Sequence, residues 1–251
     1  MTFCLGIKVK KGLVALADTQ IVKGSERLSK GKMALVEHHA RPLFIMTSGL
    51  RSVRDKAVIY LEEQLSARTS AYERLYQVAN AFGEQLRRVH QEDGPSLAQS
   101  GLRFNLHAII GGQLAADTAP TLFYIYPEGN WIEAAVDAPY FIIGRTPYGK
   151  PILDRFLSAD TALTAAVGLA YLAFDATRAS VTDVDFPLDV LVFDAAQQRL
   201  NQHRFAADKL AATHDWWQQR LQSALDEMPF EWAAPLFQDA LTLSSEEGEV
   251  G

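Results

Sequence analysis

Residues 1–18, MTFCLGIKVKKGLVALAD, decide the fold. Phe3, Leu5, Ile7 and Val9 alternate with Cys4, Gly6 and Lys8, which predicts a half-buried strand over 3–9. A short turn at Lys10-Lys11-Gly12 returns the chain as a second strand, Leu13 to Ala17. In an antiparallel hairpin folded about residue 10 or 11, the numbers of paired residues add to about 20 to 22, so Asp18 comes to lie beside Thr2.

The same pattern returns downstream. Residues 33–38 (MALVEH) and 42–47 (PLFIMT) are apolar runs around a turn at His39-Ala40-Arg41. Their pairing sets Lys32 across from Ser48-Gly49 at the open end of this second hairpin. Packed side by side, the two hairpins bring Thr2 and Asp18 together with Lys32 and Gly49.

Beyond Gly49, Val53, Ala57, Leu61 and Leu65 write one helical stripe over 50–66, and Leu75, Ala79, Phe82, Leu86 and Val89 write another. Ser48-Gly49 then stand at a strand-to-helix junction, where backbone N–H groups and the helix dipole favour a developing negative charge. QEDGPSLAQSG (91–101) reads as a loop. FNLHAIIGG, TLFYIY, NWIEAA and PYFIIG (139–144) read as strands, and a helix begins close to Pro151. Residues 160–179 form a strongly apolar helix, strands follow at 188–194 and 199–205, and a last helix spans about 207–227. Hairpins, two helices, strands, two helices and strands fit an α+β fold in which two antiparallel sheets pack face to face between helices, although this order alone permits other α+β folds.

The chain has 251 residues, 48% of them hydrophobic, and no Pro/Gly/Ser linker, so one domain over 1–251 is expected, with an acidic tail from Glu231, ending SSEEGEVG and mobile at its end. A net charge of −6 argues against nucleic acid or an acidic membrane as partner. The single cysteine, Cys4, excludes an internal disulfide framework. With neither a secretory nor a membrane-spanning pattern in view, the expected location is cytoplasmic.

If Met1 is removed, Thr2 carries a hydroxyl and a free α-amine on one Cα, a nucleophile and a base in one residue. An unperturbed α-amine titrates near about 7.7–8.0, so a sizeable neutral fraction exists at neutral pH. A nearby Lys⁺ lowers that value and keeps the amine ready to take a proton.

These residues resemble the β-type subunits of the proteasome family, N-terminal nucleophile (Ntn) hydrolases with a processed threonine. More narrowly, MTFCLGI, IGRTPYGKPILDRF (143–156) and FDATRASVTDVDFPLDVLVF (174–193) are similar to Anbu, the bacterial ancestral beta subunit. The likeness runs over roughly residues 2–205 and is most specific at YGKPILDR. It implies a four-layer αββα sandwich, peptide or protein substrates, a homo-oligomeric ring or open helical assembly, and neither metal nor organic cofactor.

Within that resemblance Thr2 is the nucleophile, Lys32 supplies the positive charge, Asp18 holds the ammonium, and the Gly49 N–H serves the oxyanion. Lys30 competes with Lys32, which is preferred because it directly precedes the strand, as the family lysine does. Asp175 and Ser180 resemble the supporting Asp and Ser that contact the terminal amine, although the spacing D-A-T-R-A-S is longer than in the proteasome proper. The family's further serine has no counterpart in GRTPYG, where Arg145 or Thr146 stands instead. His38-His39 lie in a turn without a partner cluster, so no metal is assigned to them. Asp183, Asp185 and Asp189 read as an acidic loop before a strand, Trp216-Trp217 as either a subunit contact or core, and Cys4 as a small buried hydrophobe.

The function expected is therefore amide hydrolysis of peptides by Thr2 through an acyl-enzyme. The alternatives are a small-molecule amidase of the same chemistry and a catalytically silent scaffold or binding ring.

Overall fold

The computed structural model describes residues 2–23 and 26–238. Its elements run β1 (Phe3–Val9), β2 (Gly12–Asp18), β3 (Gln20–Lys23), β4 (Glu26–Ser29), β5 (Met33–His38), β6 (Arg41–Gly49), α1 (Arg51–Ala67) and α2 (Leu75–Gln99). There follow β7 (Leu106–Gly112), β8 (Thr121–Ile125), β9 (Trp131–Glu133), β10 (Tyr140–Gly144), α3 (Lys150–Phe156), α4 (Leu163–Ser180), β11 (Leu188–Asp194), β12 (Arg199–Phe205) and α5 (Ala207–Asp226). One sheet has the order β10-β1-β2-β11-β12, the other β5-β6-β7-β8-β9, and β3-β4 form a separate ribbon.

Alternation along β6 shows why the sheets stack. Phe44 and Met46 join Cys4, Leu13, Ala15, Ile109 and Phe193 in a core between the two sheets. Leu43 and Ile45, on the opposite face, pack with the predicted stripes of α1 and α2. Each strand face is apolar, so a slip of one residue would move both sets at once, and the register is held from both sides. Helix α4 covers the first sheet, with Phe174 against Phe3 at a ring separation of 6.3 Å. The result is an αββα sandwich, two antiparallel sheets packed face to face between helices.

Both hairpins close through two residues. Cys4 pairs with Ala17 and Val9 with Gly12, within the predicted register. In the second hairpin His39 and Ala40 have φ of 47° and 59°, the positive pair of a type I′ turn. The turn is one residue shorter than predicted, so Lys32 stands across from Thr47, whose N–H donates to the Lys32 carbonyl at 3.1 Å.

The loop expected at 91–101 is instead the last part of α2, which runs through Gly94 and Pro95 to Gln99. An interior proline costs about 3 kcal/mol in a helix. Here tertiary contacts offset it: Lys56 on α1 pairs with Glu92 and Asp93 at 2.8 Å, Tyr60 donates to Glu92, and Leu97 packs on the core.

Contacts divide the chain into a unit ending at Ala207 and a second unit from Asp208. In the second, α5 buries none of its residues, and Trp216 is 52% exposed, so the core reading of that tryptophan does not hold. The acidic end expected to be mobile lies largely outside the described residues. Among the described residues no helix is long and apolar enough to cross a membrane.

Candidate active site

Thr2 stands immediately before β1, held between two neighbouring strands. On one side Phe3 pairs with Gly144 of β10, and the Arg145 N–H donates to the Thr2 carbonyl at 2.8 Å. Gly144 has φ +94°, and a Cβ there would lie 1.8 Å from the Thr2 carbonyl oxygen, so only glycine lets β10 close on Thr2. On the other side, the Phe3 N–H donates to Oδ1 of Asp18 at 2.7 Å, at the end of β2.

Lys32, just ahead of β5, donates from Nζ to Asp18 Oδ2 at 2.6 Å and to the Gln20 carbonyl at 2.8 Å. Asp18 is 0% exposed and Lys32 7%. Burial pushes the Asp18 carboxyl up from its ordinary range, and the Lys32 ammonium, the Phe3 N–H and the positive N-terminus of the chain pull back against it. The hairpin geometry read from the sequence thus brings Lys32 and Asp18 into one buried pair beside residue 2.

A cleft of about 330 Å³ opens over this pair, lined by Thr2, Lys32, Thr47, Ser48, Gly49 and Gly144, with Arg51, Arg54 and Asn105 around it. Gly49 has φ +140°, and a Cβ there would meet the Asn105 carbonyl oxygen at 2.1 Å. The missing side chain therefore serves the approach of β6 to the chain before β7, as well as leaving the cleft open at that point.

Asp175 and Ser180 both stand on α4. Asp175, buried on α4, pairs with Arg178 at 3.2 Å. Ser180 donates from its hydroxyl to the Ala176 carbonyl of its own helix at 2.9 Å, and neither residue lines the cleft. In the loop after α4, Asp183, which likewise does not line the cleft, pairs through Oδ2 with Nη2 of Arg145 at 3.0 Å. Burial works to raise the Asp183 carboxyl, and it is outweighed by the Arg145 hydrogen bond and the positive N-terminus, which leave it below the usual carboxylate range. The sequence named Asp183 only as part of an acidic loop, and Arg145 only as an occupant of a serine's place. Arg145 directly follows β10, the neighbour of β1, and Asp183 lies in the loop that leads from α4 into β11, the neighbour of β2.

His38 accepts the Tyr72 N–H at Nε2, 2.7 Å, a packing role. Burial raises the Cys4 thiol, which stays an inert core group. Among the described residues no group of three or more His, Cys, Asp or Glu could hold a metal ion.

Residues 2–192 match the family model described as proteasome subunit. An Anbu (Gly-1) mutant from Hyphomicrobium sp. strain MC1 is 30% identical, with 91% of this chain and 98% of that chain covered at a TM-score of 0.82. Anbu from Yersinia bercovieri is 29% identical over 90% and 97% of the two chains, with a TM-score of 0.82. A structure described as the helical assembly of the Anbu complex from Pseudomonas aeruginosa is 29% identical over 90% and 97%, with a TM-score of 0.83. No curated protein sequence matches the chain.

Proposed function

The chain belongs to the proteasome subunit family, in its Anbu branch, and from that premise we propose that it is a threonine-type peptidase subunit whose nucleophile is Thr2 after loss of Met1. The observation that carries this reading is the buried Lys32–Asp18 pair set against the cleft that Thr2 lines. A cation fixed there lowers the pKa of the freed α-amine, and the Asp18 carboxylate holds that cation in place.

The reaction then follows from the groups at hand. The α-amine takes the Thr2 hydroxyl proton as Oγ attacks the substrate carbonyl, and the Gly49 N–H steadies the oxyanion. The same amine returns the proton to the leaving nitrogen, and water hydrolyses the resulting ester. Asp183, held by Arg145 and influenced by the positive N-terminus, adds a carboxylate that supports the α-ammonium beside the contacts the resemblance implies for Asp175 and Ser180. No metal or organic cofactor enters these steps. The P. aeruginosa structure supports extending homo-oligomeric assembly to this chain.

The test is the intact mass of the protein before and after treatment with a peptide electrophile directed at N-terminal threonine. Loss of Met1, one adduct on wild type and none on Thr2→Ala support the proposal. Retained Met1 in protein purified from the cytoplasm would overturn it.

A further inference from the structure

A second hollow, about 240 Å³, adjoins the cleft and shares Lys32, Thr47 and Arg54 with it. Its apolar wall includes Met33, Ile45 and Val58, and its charged residues are unevenly matched. Among the described residues four cations line the two cavities, Lys30, Lys32, Arg51 and Arg54, against one carboxylate, Asp55. Lys32 has its counter-ion in Asp18. The other three converge on Asp55: Arg54 donates from Nε and Nη2 to Oδ1 at 2.8 and 2.6 Å, Arg51 lies 3.5 Å from Oδ2, and Lys30 4.0 Å from it.

Three positive groups around one negative leave an excess of two, in a chain whose net charge is −6. Burial would lift the Asp55 carboxyl, yet it is held below its ordinary range by Arg54, Lys30 and Arg51, as a local positive excess requires. Arg54 is the best placed of the three. Its side chain is 14% exposed, it borders both cavities, and among the described residues its Nη1 makes only a 3.5 Å contact, to the Gly31 carbonyl. A guanidinium carries five N–H donors in a fixed fork that suits a carboxylate. The apolar wall beside it excludes water and strengthens such a contact.

Resting on the peptidase reading above, we infer that this hollow selects substrates with a carboxylate close to the scissile amide, held by Arg54 with Arg51 and Lys30 around it. The carboxylate is either an aspartate or glutamate side chain or the free C-terminus of the peptide.

Binding to the Thr2→Ala protein reads this without turnover. Three dye-labelled peptides of one sequence are compared by fluorescence anisotropy: one with glutamate near the centre and an amidated end, one with glutamine there and an amidated end, and one with glutamine and a free carboxyl end. The expected result is binding of the glutamate peptide about tenfold tighter than the amidated glutamine peptide, with the difference shrinking as salt is raised. Preference for the free-carboxyl peptide instead assigns the hollow to chain ends. Arg54→Gln should abolish the preference, and Arg51→Gln, at a 57% exposed side chain where folding is not at stake, should weaken it. Equal binding of all three peptides, or binding of none, overturns the inference. Failure of wild type to react with the threonine-directed electrophile, while Thr2→Ala still prefers a carboxylate, removes the nucleophile and leaves the hollow standing.

Discussion

Lys32 and Asp18 form an ion pair at 2.6 Å in which the carboxylate is fully buried and the ammonium nearly so. Asp18 spends its second oxygen on the Phe3 N–H, the peptide unit that fixes Thr2. One carboxylate thereby ties the cation to the first residues of β1, so stability and site geometry share the same atoms.

Replacing Lys32 by Met leaves Asp18 buried without its counter-ion. Removing one partner of such a pair costs about 3–5 kcal/mol, which urea unfolding should show. The double variant Lys32→Met, Asp18→Asn should recover most of that stability, because an amide can still accept the Phe3 N–H. It should remain unreactive towards the electrophile. Recovery of labelling in the double variant would mean that the pair is only structural.

Gly144→Ala forces a Cβ into the Thr2 carbonyl and an alanine into φ +94°. A residue in that backbone region costs about 1–3 kcal/mol, and the clash adds to it. The melting temperature should fall, and electrophile labelling should drop more than stability does, because the strain is relieved by displacing Thr2. Unchanged labelling in a folded Gly144→Ala protein would contradict the close contact seen here.

Asp183 supplies the pH dependence. Its folded-state carboxyl is held below the usual range, so its stabilisation is complete above the unfolded value, about 3.9, and is lost as pH falls through the lowered one. Asp183→Asn should therefore lower stability by about 1 kcal/mol near neutral pH, with the gap to wild type closing on acidification below about pH 4. Melting curves across pH check this, and a gap that widened in acid would reverse the sign assigned to the group.

How far the sequence could be read follows from the kind of signal each part leaves. The first hairpin was legible because strand alternation and a two-residue turn fix its register, and Asp18 beside residue 2 came from counting alone. The second hairpin came out one residue off at its mouth because Ala40 takes a positive φ, a conformation its residue type does not announce. Asp183 was not singled out because a loop acid has no periodicity, and only the fold carries it back to Arg145. The end of α2 was read as a loop because Gly94-Pro95 is a strong local breaker, whereas the contacts that overrule it come from α1, far away in sequence.

That last contact network yields its own test. Glu92 has its carboxyl pulled down to about 2, first by the hydrogen bond from Lys56, then by that from Tyr60, with burial opposing and Arg88 adding a third. A depressed carboxyl stabilises the fold above its unfolded value, about 4.3, and that contribution disappears as pH falls through the lowered one. Glu92 is solvent-accessible, so the effect belongs to the last turns of α2 and hardly to global unfolding. Hydrogen exchange should show Glu92→Gln losing amide protection over residues 93–99 while the segment 75–89, whose stripe is buried against the second sheet, keeps its own. Wild type taken from about pH 5 towards pH 2 should lose protection in the same residues. If exchange over 93–99 is unaffected by either change, the side-chain ties to α1 are not what carries the helix through Pro95.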